Sequence, residues 1–212
     1  GITSMLPTAD ALEVSKELAS RFGLPLWQFT VSATDANRHV IRYARLITGK
    51  RKIIVIDRCY HGSVDETFAT LDSAGNTVAR EGNIGAPFHL AETTRVVEFN
   101  DLKAMEEALA HGDVAAILME PAMTNVGIVL PDDGYLAKVG ELARKYAALW
   151  IIDETHTISI GAGGMVRALG LKPDFLTIGK AICGGIPTGT FGLTHEVAHA
   201  ISERGTLKRV DA

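Results

Sequence analysis

An α/β fold is what this 212-residue sequence predicts: a three-layer α/β/α sandwich around a mostly parallel sheet. Three observations carry that expectation. Apolar runs at residues 53–56, 115–119, 149–152 and 175–178 lack the polar alternation of a half-exposed strand, so they read as strands buried on both faces. The segments between several of them space their apolar residues as helices do, and strand and helix alternate at lengths that suit right-handed crossovers. A hydrophobic share of 47% over this length is enough for one substantial core or two small ones. No internal repeat, low-complexity tract or linker divides the chain, so residues 1–212 are taken as one domain.

Thr8 can cap a first helix, in which Ala11, Leu12, Val14, Leu18 and Phe22 share a face and Gly23-Leu24-Pro25 is the stop. Residues 27–31 form a strand candidate and residues 35–47 a helix ending near Gly49. A β-branched strand follows at 53–56. Residues 72–87 carry Gly, Asn, Ser and Pro without strong periodicity and are expected to be an exposed excursion. Beyond them lie a strand at 95–99, a helix at 102–111, a strand at 115–119 and a helix at 134–146. Two further strands end in Asp153 and Ile178. The last strand is expected at 190–193 and the last helix at 196–204. The polar tail, residues 205–212, reads as an interrupted chain, and the initial Gly1 suits one trimmed or cut from something longer.

The charge balance excludes some classes of function. Net charge is −4 with no basic block, so nothing in it points to nucleic acid. No apolar segment reaches the ~18–20 residues of a membrane span, and no signal peptide is visible. Cys59 and Cys183 are too few for a disulfide framework and suit a reducing cytosol. The expectation is a soluble, cytoplasmic protein without nucleic-acid or membrane partners.

The chemistry concentrates in residues 149–185. One apolar run ends in Asp153, and the next ends in Gly179-Lys180 ahead of Gly184-Gly185. Ligands of α/β sheets bind outside the carboxyl ends of the strands, so the layout presents a carboxylate and an amine at one edge. A carboxylate ending a buried strand needs a cationic partner or a functional role. A lysine after an apolar strand is expected to be partly desolvated, which favours the neutral amine needed for Schiff-base formation. Such an amine, with a carboxylate to hold a pyridinium nitrogen, is what pyridoxal 5'-phosphate (PLP) chemistry asks of a protein.

Other segments are consistent with that site, each with an ordinary structural alternative. Ser32-Ala33-Thr34-Asp35-Ala36-Asn37 joins a strand to a helix, where free amides and the hydroxyls of Ser32 and Thr34 can receive a phosphate or simply cap the helix. Tyr60 and His61, after the 53–56 strand, can stack on a flat cofactor or pack in the core. Cys59 reads as a buried hydrophobe. Glu120 ends the 115–119 strand with Asn125 in the loop beyond, able to bond a ring oxygen or a substrate, or to serve as turn residues. Asp153, Glu154 and His156 lie too close in sequence to converge easily on a metal, and no second ligand cluster supports one. A nucleotide-hydrolase reading of the same stretch needs a phosphate loop. The best candidate has Ala44 in place of the first Gly and Arg51 after Gly49-Lys50.

Taken together, five ordered motifs resemble class III (fold-type I) PLP-dependent aminotransferases over residues 27–204. The resemblance is closest to the branch of glutamate-1-semialdehyde aminomutase and the aromatic β-amino-acid (β-phenylalanine) aminotransferases. It implies that Lys180 holds PLP as a Schiff base and supplies the acid/base amine, and that Asp153 pairs with the pyridinium nitrogen. Tyr60 would stack on one ring face and Thr155 lie against the other, with His61 and Glu120 nearby. His156 and Asn125 would sit near the phenolic oxygen, and Ser32, Ala33 and Thr34 would bind the phosphate. Ala33 stands for the family's usual Gly, Asp35 for Glu, Thr155 for Val, and His156 for Gln or Met.

The function so implied is transamination between an amino acid and an oxo acid by a homodimer, with an aromatic β-amino acid as the candidate donor. The alternatives are a glutamate-1-semialdehyde-type aminomutase and a truncated, non-catalytic PLP-fold module. The N-terminal segment and small C-terminal domain usual in such proteins are not found in this chain, which resembles the large cofactor-binding domain.

Overall fold

The computed structural model describes residues 8–205. Thr8 does cap α1 (Ala9–Phe22), its hydroxyl accepting from the Ala11 amide at 3.3 Å, and Gly23 ends the helix in the left-handed region. Then come β1 (Leu26–Thr30), α2 (Ala33–Thr48), β2 (Lys52–Ile56), β3 (Ala69–Leu71), β4 (Thr77–Ala79), β5 (Thr94–Val97) and α3 (Leu102–Ala110). They are followed by β6 (Val114–Met119), α4 (Tyr135–Lys145), β7 (Leu149–Asp153), α5 (Gly164–Ala168), β8 (Phe175–Ile178), β9 (Gly189–Leu193) and α6 (His195–Arg204). No helix among the described residues is long and apolar enough to cross a membrane.

The main sheet has the order β1-β9-β8-β7-β6-β2-β5. Every pairing from β5 across to β8 is parallel, while β9 runs antiparallel to both β8 and β1. β6 and β8 are buried along their whole lengths, which is why their sequences are continuous apolar runs. β1 lies at an edge and leaves Leu26 and Gln28 exposed. α2 packs across β1, β9, β8 and β6 with α6 beside it, while α3 and α4 pack on one another and reach β5 and β7. From β2 the chain steps outward to β5, then returns to place β6 on the other flank of β2. The crevice where strand order reverses therefore opens at the carboxyl ends of β2 and β6.

Residues 72–87 are mostly exposed, as expected, but they are not without structure: β4 lies among them and pairs with β3 as an antiparallel hairpin, with Asp72 Oδ1 accepting the Ala74 and Asn76 amides in its turn. Buried Asp57 pins that hairpin to the end of β2 by accepting from Thr70 Oγ1 at 2.6 Å and the Leu71 amide at 3.0 Å. Strands of three residues are too short for a periodicity to show. The strand expected at 95–99 ends at Val97, and α5 arises where a glycine-rich stretch gave no helical signal. The proposed interruption of the chain at 205–212 lies, except for Gly205, outside the described residues.

Candidate functional site

A cavity of about 390 Å³ opens at the carboxyl edge of the sheet. Each neighbouring strand end contributes to its wall: Tyr60, His61 and Gly62 after β2, Glu120 after β6, Asp153, Thr155 and His156 at β7, and Lys180 after β8. The turn from β1 into α2 adds Val31, Ser32, Ala33 and Thr34, and Gly185, Ile186, Pro187 and Thr188 complete the lining. A larger groove of about 690 Å³ between α3 and α4 is a different feature. Its walls carry Lys103, Glu106, Glu107, Lys138, Glu141 and Lys145, several paired across it or along one helix, as on a solvated helical face.

Asp153 ends β7 almost fully buried, at 2% exposure. Its Oδ2 accepts from Asn37 Nδ2 at 2.9 Å and sits 2.9 Å from His61 Nδ1, while Oδ1 accepts the Thr155 amide at 3.0 Å. Burial works against the charged form, but the His61 contact and the donors from Thr155 and Asn37 outweigh it and hold the carboxyl down at about 2. The same pair acts on His61. Burial disfavours the imidazolium, yet the adjoining Cys59 thiol and the Asp153 carboxylate bring it up to about 10. The result is a carboxylate fixed as an anion in the cavity wall.

Asn37 organises this cluster from α2. Beyond its bond to Asp153, its Nδ2 donates to the His61 carbonyl at 3.1 Å, and its Oδ1 accepts from Thr177 Oγ1 at 2.8 Å. Asn37 and Thr177 are both fully buried, and neither stood out as a site residue in the sequence. The available signal was an amide on the helix face otherwise made of Ala36, Val40, Ile41 and Ala44.

At the head of α2, Ser32 Oγ accepts the Asp35 amide at 3.1 Å and Thr34 Oγ1 accepts the Ser63 amide at 3.1 Å. Both hydroxyls thus already serve as acceptors, while the amides of Ala33 and Thr34 stand in the first turn, beyond reach of any intrahelical carbonyl. The departure at Ala33 has a packing counterpart, because a Cβ on Gly179 would stand 2.6 Å from the Ala33 methyl. Gly62 has φ +82°, and a Cβ there would lie 2.1 Å from Thr34 Oγ1. The β2 loop and α2 therefore meet through a residue with no side chain.

Lys180 opens a short 3₁₀ turn, Lys180–Cys183, with φ +49°, a conformation few side chains adopt. It is exposed, so the expected partial desolvation is not met among the described residues. Tyr60 is 41% exposed on the cavity wall, with its ring edge-on to Phe68 at 6.4 Å. Thr155 Oγ1 is buried in that wall without a hydrogen-bond partner. Asn125 lies elsewhere: it is exposed, donates to the Arg58 carbonyl at 3.2 Å and does not line the cavity. Thr124 takes its place beside His156, bridging Nδ1 of that ring and Oε2 of Glu120. Glu154 faces away into a structural role, accepting the Val166 amide at 2.6 Å and the Thr157 hydroxyl, and burial raises its pKa.

These residues suit a PLP-type group. A fixed anion, an amine, an aromatic face, free amides at a helix start and an unsatisfied buried hydroxyl converge on one cavity. Fold and site together define the fold-type I class of PLP-dependent proteins. Residues 2–207 match the family model for class III aminotransferases, and the chain belongs to that PLP-dependent family.

Among curated relatives, a glutamate-1-semialdehyde 2,1-aminomutase from Methanothrix thermoacetophila is 35% identical over 203 residues, covering 95% of this chain and 47% of the relative. A crystal structure of a glutamate-1-semialdehyde aminomutase from Pseudomonas aeruginosa PAO1 superposes with a TM-score of 0.94 at 52% identity, over 100% of this chain and 47% of that one. A lysine-to-alanine variant from the same organism, in complex with PMP, gives 0.94 at 51%, over 99% and 46%. A β-phenylalanine aminotransferase from Variovorax paradoxus gives 0.74 at 28%, over 88% and 41%. The chain thus spans about half the length of the proteins it matches.

Proposed function

We propose that this chain forms the large, cofactor-binding domain of a glutamate-1-semialdehyde-type aminomutase, a PLP enzyme that moves an amino group within its substrate. The observation that carries the PLP reading is Asp153, an anion held in the wall of the cavity that Lys180 also lines. The choice of aminomutase is supported by similarity: 52% identity to one such enzyme of known structure, against 28% to a β-phenylalanine aminotransferase. That difference favours it over the aromatic β-amino-acid transamination expected from the motifs. Transfer between an amino acid and an oxo acid is the broader chemistry of which this would be one form.

Bound PLP supplies an electron sink for the carbanion left when a proton leaves the carbon bearing the amine. Asp153 would hold a proton at the pyridine nitrogen, and Asn37 and His61 keep its carboxylate ionised and aimed. The Lys180 amine would carry the cofactor and later move the proton. The free amides of Ala33 and Thr34, with Ser32 shaping the turn, would take the phosphate at the positive end of α2. Tyr60 would cover one ring face and Thr155 the other, its unsatisfied hydroxyl finding an acceptor there. Glu120 and His156 would stand at the phenolic side. Asn125 would need the loop after β6 to shift before it could join them.

The same reading carries a homodimer, supported by Ile84, Ile128 and Ile186, exposed at 92, 79 and 71%. It also carries a cytoplasmic location, supported by two cysteines that are both unpaired. Incubating the full-length protein with PLP, reducing with borohydride and mapping peptides tests the site; the adduct is expected on Lys180. An adduct scattered over surface lysines would refute that assignment. Turnover of glutamate-1-semialdehyde, without turnover of β-phenylalanine plus 2-oxoglutarate, is then the expected substrate pattern.

A further inference from the structure

Glu120, Thr124 and His156 form a chain of polar groups to which the reading above gives a place but no proton. Thr124 Oγ1 is within hydrogen-bond reach of both Glu120 Oε2 and His156 Nδ1, and the carboxylate oxygen lies 3.5 Å from that ring nitrogen. Glu120 is 6% exposed, while His156 lines the cavity and its side chain keeps 37% exposure. The directions of these bonds follow from what each group can donate. A carboxylate only accepts, so the single hydroxyl proton of Thr124 goes to Glu120. The threonine oxygen is then an acceptor, and the imidazole must supply Nδ1–H. Among the described residues no hydrogen bond engages Nε2, which is left with its lone pair.

We infer that Glu120 and Thr124 are positioning residues that lock His156 as its Nδ1–H tautomer, making Nε2 a proton acceptor in the cofactor cavity. Resting on the PLP reading above, the ligand group it serves is the ammonium of an incoming amino compound. That nitrogen must lose a proton before it can attack a carbonyl or imine carbon. The N–H bond of the ammonium breaks and an Nε2–H bond forms. The resulting imidazolium is balanced by Glu120, in the way a carboxylate stabilises the imidazolium of a hydrolase triad. The other titratable groups on this wall are Tyr60, His61, Asp153 and Lys180. Asp153 and His61 are already bonded to one another, so His156 stands apart from that pair.

The test is nitrogen NMR of the full-length protein with ¹⁵N-labelled histidine, the His156 signals being assigned by their loss in H156Q. At a pH where the ring is neutral, the wild type is expected to show a protonated Nδ1 and a bare Nε2. T124S should preserve that pattern. E120A should reverse it, because with no acceptor at position 120 the threonine proton is free to turn to Nδ1. T124V should also release the ring to the Nε2–H form. A wild-type Nε2–H tautomer, or no change in E120A, would overturn the inference.

In the PLP-loaded protein, the absorbance change on mixing with glutamate-1-semialdehyde is expected to slow about a hundredfold in T124V and little in T124S. An unchanged T124V rate would refute the proton-accepting role. Failure of the protein to take up PLP would instead sink the functional reading, while the tautomer result would still decide the relay.

Discussion

Asn37 on α2 donates to the Asp153 carboxylate at the end of β7 across 116 residues of sequence, and its own carbonyl oxygen receives the Thr177 hydroxyl from β8. One amide thus joins a helix and two strands at the point where the buried charge sits. Removing it strips a partner from Asp153, from Thr177 and from the His61 carbonyl, all in the interior. N37A is therefore expected to cost about 2–3 kcal/mol in urea unfolding, the scale of leaving buried polar groups unsatisfied. N37D should cost more at neutral pH, because it sets a second carboxylate against Asp153, and should recover part of the loss as the pH falls.

The His61–Asp153 pair predicts how stability follows pH. Against its burial, Cys59 and Asp153 together hold His61 up at about 10, so its contribution is complete below the ordinary imidazole value of ~6.5 and is lost as pH rises through 10. Asp153 is held down at about 2, so its contribution is complete above ~3.9 and is lost as pH falls through 2. Urea midpoints of the wild type should therefore decline between pH 7 and 10.5. In H61Q the midpoint starts lower and its decline over that window is expected to be shallower. A wild-type curve no steeper than the variant's would show that the ring is not charged in the folded state.

Much of this site was legible because buried strands write themselves as apolar runs, and whatever ends such a run is exposed to view. Asp153 and Lys180 stand out for that reason, as do Tyr60 after β2 and Glu120 after β6. Asn37 and Thr177 did not, since a single polar residue inside a helix or a strand looks like tolerated variation until its partner is known. Thr124 was passed over for Asn125 next to it; the direction of a loop side chain depends on how Pro121 and the Met123–Val129 bridge fold the loop, which adjacency in sequence does not encode. The antiparallel course of β9 was equally hidden, because Gly189 to Leu193 reads as a buried strand whichever way it runs.

Gly62 offers a sharper test of how the cavity is built than any polar residue. It holds φ +82°, and a methyl group there would meet Thr34 Oγ1 at 2.1 Å, displacing the hydroxyl that accepts the Ser63 amide. Gly75 has nearly the same φ, +81°, and a methyl group there would find nothing within 4 Å, so it isolates the backbone strain from the clash. G75A is expected to cost about 1 kcal/mol and leave PLP uptake by the full-length protein unchanged. G62A carries that strain plus the collision and should exceed about 2 kcal/mol. Because Thr34 stands in the first turn of α2 and lines the cavity, G62A should also weaken PLP uptake in equilibrium dialysis. Equal losses of stability in the two variants would mean that the β2 loop yields without moving α2, and an unchanged dialysis result would separate the phosphate end of the site from the packing of Gly62.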